Sequence, residues 1–164
     1  MTLDAAQEVS LSIDAPLVEC FDAILEFDCY PEWSSAVTAA RVLERDTSGV
    51  GRIVEFQIDM KIRTVRYVLA YAYKRPTELT WHSVEGDVES IEGRYGFRKL
   101  APNRTEAVCR QEIQLGFWVP GPLRKLAERT ALRQSVTEFK AEVERRRAVA
   151  KTPDRSRPKS KPKR

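Results

Sequence analysis

The sequence predicts an α+β protein in which a strongly curved antiparallel sheet is wrapped around one long C-terminal helix. Three observations carry that prediction. Apolar and polar residues alternate along one N-terminal segment and six later ones, the period of a half-buried strand. Short stretches of turn-forming residues separate those six segments. Residues 123–150 contain no Gly or Pro and are rich in Leu, Ala, Arg, Lys and Glu, the composition of a helix.

In chain order, Val9, Leu11 and Ile13 alternate with Glu8, Ser10, Ser12 and Asp14 and form the first strand. The period then changes to helical spacing at Val18, Phe21, Ile24 and Leu25, with Asp14 placed to cap the helix and Pro16 in its first turn. That helix ends near Phe27. A second short helix is expected at Asp28-Cys-Tyr-Pro-Glu-Trp33, capped by Asp28 and packing its aromatic rings inward. The remaining strands are 37–45, 52–60, 62–74, 79–84, 88–100 and 105–117, with turns at 47–51, 75–76, 85–87 and 101–103. Short turns between consecutive strands make an antiparallel meander. Pro120, Gly121 and Pro122 end the last strand before the long helix begins. Along that helix Leu123, Leu126, Ala127 and Thr130 share one side, whereas Leu132, Val136, Phe139 and Val143 lie nearly opposite. The helix therefore either bends near Thr130 or is covered on two sides.

The chain has 164 residues and a formal charge of +4. Residues 145–164 hold ten Lys or Arg against the single acid Asp154, a local +9 that leaves residues 1–144 at −5. The basic character belongs to a tail. Three prolines and almost no apolar side chain follow Lys151, so residues 148–164 are expected to be disordered and residues 1–147 to form the domain. The tail's charge suits an acidic membrane surface or nucleic acid as partner, and suits plain solvation equally. Cys20, Cys29 and Cys109 are odd in number and form no C-x-x-C, so neither a zinc site nor a disulfide framework is expected. Met1–Ser10 mixes Asp4, Gln7 and Glu8 into its apolar residues and lacks the pattern of a secretory signal. The longest apolar run, Tyr67–Tyr73, falls far short of the ~20 residues of a bilayer-spanning helix. A cytoplasmic protein is the expectation.

Alternation also sorts the strand faces. Val54, Phe56, Ile58 and Met60 share one face of their strand, and Val65, Tyr67, Leu69, Tyr71 and Tyr73 one face of the next. Ile91, Gly93, Tyr95 and Phe97 oppose Ser90, Glu92, Arg94 and Arg98, while Ala107, Cys109, Gln111, Ile113, Leu115 and Phe117 oppose Glu106, Arg110, Glu112 and Gln114. The inner faces are thus apolar and aromatic, with few polar groups: Gln111, the hydroxyls of Tyr67, Tyr71 and Tyr95, and the Trp81 indole. Such a concavity suits a small-molecule pocket. A solid core, with tyrosines reaching the rim and Gln111 bonded to backbone, satisfies the same pattern. The apolar stretch Gly116–Leu123 is either the lip of a cavity or a membrane-touching element, or packs Phe117 in the core and tucks Trp118 under the helix.

Enzyme signatures are scarce. His82 is the sole histidine and the obvious general base, but its neighbour Trp81 faces inward, which turns His82 outward. There is no G-x-G-x-x-G, P-loop, H-E-x-x-H or G-x-S-x-G, and no Cys/His cluster for a metal. Neither a cofactor nor a metal is expected. Glu85, Asp87, Glu89 and Glu92 crowd one hairpin, a pattern that solvation alone explains.

Four segments carry a family resemblance: Asp14-Ala-Pro-Leu-Val-Glu-Cys-Phe-Asp-Ala-Ile, Phe27-Asp-Cys-Tyr-Pro-Glu-Trp33, Val84-Glu-Gly-Asp87 and Val119-Pro-Gly-Pro-Leu-Arg124. Together they resemble the START-like superfamily of polyketide cyclase/dehydrase and coenzyme Q-binding proteins, over about residues 5–147. The resemblance implies a helix-grip fold, with a hydrophobic cavity between sheet and helix and the helix gripped on two sides. It supports Tyr67, Trp81, Tyr95, Phe97 and Gln111 as cavity lining, and the full candidate set adds Trp33, Phe56, Ile58, Tyr71, Ile91, Ile113 and Leu126. Members of the superfamily bind isoprenoids or other lipids, cyclise polyketides, or act on ribosomes, so fold does not choose among them. Cyclisation needs a proton-transfer group, and the interior offers no obvious ionisable residue for it. Three functions follow as expectations: binding or transport of a small hydrophobic molecule, polyketide aromatase/cyclase or dehydrase chemistry, and an interaction module that docks through the basic tail.

Overall fold

The computed structural model describes residues 6–151, apart from the side chains of residues 128 and 129. Seven strands and three helices follow the expected order. They are β1 (Gln7–Ile13), α1 (Leu17–Ile24), a 3-10 turn at Phe27–Cys29, α2 (Tyr30–Trp33), β2 (Val37–Arg45), β3 (Gly51–Asp59), β4 (Thr64–Lys74), β5 (Glu78–Gly86), β6 (Ser90–Ala101), β7 (Arg104–Gln114) and α3 (Gly121–Lys151). α3 continues past the domain boundary expected at residue 147. The tail assignment at residues 152–164 lies outside the described residues.

All seven strands form one antiparallel sheet in the order β1-β7-β6-β5-β4-β3-β2. The meander β2–β7 follows from its short turns, and β1 returns to pair with the last strand, Ile13 opposite Thr105 and Gln7 opposite Gln111. Register shifts interrupt the β2–β3 ladder and the β4–β5 ladder after Val68. Such bulges bend strands and increase twist, the curvature that a sheet needs to enclose a helix. Gly86 sits just beyond the second shift with φ +135°, where a Cβ would lie 2.5 Å from the Arg66 carbonyl oxygen. Only glycine fits that turn of the backbone.

The core lies between the concave face and α3, and α1 closes one end of it. Phe21, Phe27, Phe139, Ile13, Leu79, Ile91, Val54 and Val136 are completely enclosed there. α3 lies against β1, α1 and α2, and buries Leu132, Val136, Phe139 and Val143. Its other stripe is not covered. Leu123 and Leu126 are 42% and 59% exposed, so α3 is gripped on one side, and Leu126 is removed from the set of interior residues. The reason is rotational: at about 100° per residue, Leu126 points roughly 80–140° away from each residue of the buried stripe.

Polar ties fix the helix on the sheet. Lys140 Nζ donates to the Ser12 carbonyl at 2.8 Å and to Glu144 at 2.6 Å, and Glu138 accepts the Ser35 backbone N–H at 2.9 Å. Asp14 does not cap α1, which begins after Pro16 without a side-chain cap. It accepts instead from Arg104 Nε at 3.1 Å, and its own N–H donates to Glu144, so that β1, the β6–β7 hairpin and α3 meet at this residue. Asp28 likewise caps nothing and pairs with Arg45 at 3.1 Å. Val18, expected on the buried stripe of α1, faces solvent, while Val68, expected outside, is buried apart from the main core.

Candidate functional site

On β3 and β7 the inner faces are buried at one end of the sheet and half-buried at the other, whereas on β4 and β6 Val65, opposite Ile58, and Ile91, opposite Ile113, are buried and Tyr73 at the far end is half-buried. Along β7 the inward residues Thr105, Ala107 and Cys109 are buried, whereas Gln111, Ile113, Leu115 and Phe117 beyond them are half-buried. β3 repeats the trend, with Val54 and Phe56 buried and Ile58 and Met60 half-buried. α3 runs antiparallel to this gradient, sealed from Val143 to Leu132 and exposed at Leu126 and Leu123. Three elements thus thin out at the same end, beside the first turns of α3. The concave face is a funnel in the sense of burial, packed shut near α1 and half-buried near Phe117.

Of the twelve residues proposed for the cavity, ten belong to this core or pack against it; Gln111 is half-buried beside it, and Leu126 is exposed. An aromatic chain connects most of them. Tyr71 and Trp81 have ring centroids 6.1 Å apart, Trp81 and Tyr95 6.0 Å, Tyr95 and Phe97 5.4 Å in a stack, and Phe56 and Tyr67 6.0 Å. Trp33 reaches Phe139 of α3 at 5.6 Å. Trp33, Ile58, Tyr67, Tyr71, Gln111 and Ile113 remain half-buried, and Phe56, Trp81, Ile91, Tyr95 and Phe97 are buried.

The polar groups of the interior lie mostly in one row across the sheet. Tyr71 is opposite Trp81, Trp81 opposite Gly93, and Gly93 opposite Gln111. Gly93 makes the row possible: a Cβ there would sit 2.2 Å from Trp81 Cζ2, so the indole lies across a bare backbone. Its Nε1 is buried with no hydrogen-bond partner. The hydroxyls of Tyr67 and Tyr71 and the Gln111 amide also lack hydrogen-bond partners among the described residues, and Gln111 makes no bond to backbone. Tyr30 differs, donating to the Ile24 carbonyl at 2.6 Å.

Burial keeps every titratable group of the funnel uncharged at neutral pH. It pushes the phenols of Tyr30, Tyr67, Tyr71 and Tyr95 well above their ordinary value, and the Cys109 thiol up to about 12. Cys20 rises to about 11 for the same reason, and all three cysteines are free. Buried, protonated thiols are poor nucleophiles. His82 is exposed on the convex face, opposite Ala70 and Glu92. Among the described residues no three potential metal ligands converge, and no helix is long and apolar enough to cross a membrane.

The rim carries Trp118, 82% exposed, so α3 does not cover it. Phe117 packs against the core beneath the Arg63 guanidinium, 4.4 Å from its ring. A concavity of about 620 Å³, without any signal in the sequence, lies between the 3-10 turn and the β2–β3 hairpin. Its charges are already matched, Asp28 with Arg45 at 3.1 Å, Asp22 with Arg75 at 2.9 Å and Glu26 with Arg146 at 2.6 Å, so it offers a ligand no unpaired charge.

This architecture has known counterparts. The sequence model of the family described as polyketide cyclase / dehydrase and lipid transport matches residues 13–140. The chain belongs to that family. No curated protein matches it in sequence. Among solved structures, a START superfamily protein from Mycobacterium smegmatis superposes with a TM-score of 0.77 at 18% identity, over 85% of this chain and 97% of that one. The Zhui aromatase/cyclase from Streptomyces sp. R1128 gives 0.76 at 16% identity, over 91% and 99%. A protein of Thermus thermophilus gives 0.74 at 18% identity, over 90% and 100%. At these identities the likeness is one of fold, and it places the family's helix-grip architecture on this chain as the four sequence segments implied.

Proposed function

We propose that the protein binds a small hydrophobic molecule, lipid-, isoprenoid- or polyketide-like, in the funnel and carries it without chemical change. The observation that supports this most is the gradient of burial on β3, β7 and α3, which leaves Ile58, Ile113, Leu115 and Phe117 half-buried beside the first turns of α3. Burying apolar surface contributes about 25 cal/mol per Å², so a ligand that covers Ile58, Tyr67, Ile113 and Phe117 is held without any charge. The family's description includes lipid transport, in keeping with this reading.

Polyketide cyclisation or dehydration is the second reading, supported by the family description and by the fold shared with an aromatase/cyclase. Its difficulty is a proton acceptor. The described inner faces hold phenols and a thiol whose protons burial retains, and these groups donate to a carbonyl but do not abstract a proton at neutral pH. We assign the protein to the cytosol, where its free cysteines stay reduced. The basic tail's partner, membrane or nucleic acid, falls to residues outside those described.

The test is native purification followed by organic extraction and mass spectrometry. The expected result is an apolar compound near one per chain in the wild type and its loss from Ile113→Trp, which fills the opening. A compound retained equally by Ile113→Trp argues that the ligand sits elsewhere.

A further inference from the structure

The floor of the funnel contains two local choices that stability alone disfavours. One is the Trp81 Nε1 donor, enclosed without a partner in a side chain only 8% exposed. A buried donor left unpaired is destabilising, and native interiors contain few of them. The other is Gly93 in the middle of β6, where glycine weakens a strand by leaving nothing to pack and by its backbone freedom. The two are one feature, because the indole occupies the space that a Gly93 side chain would need. Phenylalanine at position 81 would supply an aromatic ring without an orphan donor.

We propose that Trp81 Nε1 is a specificity-determining donor, the centre of a row with Tyr71 and Gln111 that selects a neutral hydrogen-bond acceptor, such as a carbonyl oxygen, on an otherwise apolar ligand. This rests on the funnel being the binding site. The indole can only donate, so its partner must accept. The inner-face neighbours of the row, Leu69, Leu79, Ile91, Tyr95, Cys109 and Ile113, carry no positive charge, so nothing beside Trp81 compensates a carboxylate, and the acceptor there is uncharged. Tyr71 stands on one neighbouring strand and Gln111 two strands away on the other side, so the row spans three strand spacings, about 14 Å. That width admits a flat ring system whose carbonyl meets the Trp81 indole. Both flanking groups are unpaired and half-buried, free to bind further oxygens of the same molecule.

The experiment compares fluorene with 9-fluorenone, two molecules of nearly the same shape that differ by one carbonyl. Affinities are measured by titration for the wild type, Trp81→Phe and Tyr71→Phe. Trp81→Phe is expected to weaken fluorenone about three- to tenfold, the worth of one net hydrogen bond, and to leave fluorene unchanged. Tyr71→Phe weakens fluorenone less. In the wild type, the Trp81 indole ¹H–¹⁵N resonance moves downfield with fluorenone and not with fluorene, a readout that survives even if Trp81→Phe fails to fold. An indole resonance that responds alike to both ligands, or equal losses for both in Trp81→Phe, overturns the donor role and leaves the funnel standing. Failure of both molecules to bind the wild type overturns the funnel itself, and the donor role with it.

Discussion

At Gly93 a single methyl group decides the arrangement of the funnel floor. Gly93→Ala puts a Cβ 2.2 Å from the indole, and the ring must swing or the strands part. Overpacking of this kind costs about 1–3 kcal/mol, which a urea titration reads directly. Glu142 is the contrasting case of a buried charge that is well matched. It accepts from Arg145 at 2.7 Å and Arg146 at 2.9 Å, and these bonds, Arg145 first, hold its carboxyl down at about 2. A carboxylate lowered on folding stabilises above its ordinary range, and that contribution is lost as pH falls toward the folded value of about 2. Glu142→Gln is therefore expected to cost about 1–3 kcal/mol at pH 7 and to flatten the acid limb of the stability–pH profile. An unchanged acid limb would show that other carboxylates govern it. Neither residue announced its role in the sequence: Gly93 was visible only as an inner-face position, and Glu142 carried no signal of its own. Both roles depend on which side chain another element brings opposite.

Elements were more legible than their ends. The strands appeared within a few residues of their observed limits, because a period of two and a Pro or Gly turn are local signals. The caps assigned to Asp14 and Asp28 failed for a non-local reason. Each carboxylate has an arginine within 3.1 Å contributed by a distant strand, and that pairing displaces a cap at the helix start. For α3 the sequence showed two apolar stripes without showing which was covered. The structure covers Leu132, Val136, Phe139 and Val143 and leaves Leu123 and Leu126 to solvent. Phe139→Ala, in the closed part of the funnel, is accordingly expected to cost about 3–5 kcal/mol. Leu126→Gln is expected to stay within about 0.5 kcal/mol, as at ordinary surface positions. Thermal melts of the two variants separate these outcomes, and a large loss in Leu126→Gln would place that stripe against another surface.

For the molecule as a whole, a curved sheet and one helix enclose more apolar surface than they close off. Curvature arises from bulges and glycines in β2–β5, closure at one end comes from α1 and its Phe21, and the half-buried Ile58, Ile113 and Phe117 mark the less covered end. Sequence alternation identified which residues face inward, and the resemblance of four segments identified the fold. Whether those residues pack solidly or leave an opening was not legible, because that depends on how far α3 extends along the concave face and on which stripe it turns inward. The central claim, that the funnel holds one apolar molecule, is tested most directly by titrating cis-parinaric acid and following its fluorescence. The wild type is predicted to bind one molecule per chain, and Ile113→Trp, folded by the same melt, to bind at least about tenfold more weakly, the equivalent of ~1.4 kcal/mol. Equal binding by wild type and Ile113→Trp would contradict the claim and move the ligand off the inner face of the sheet.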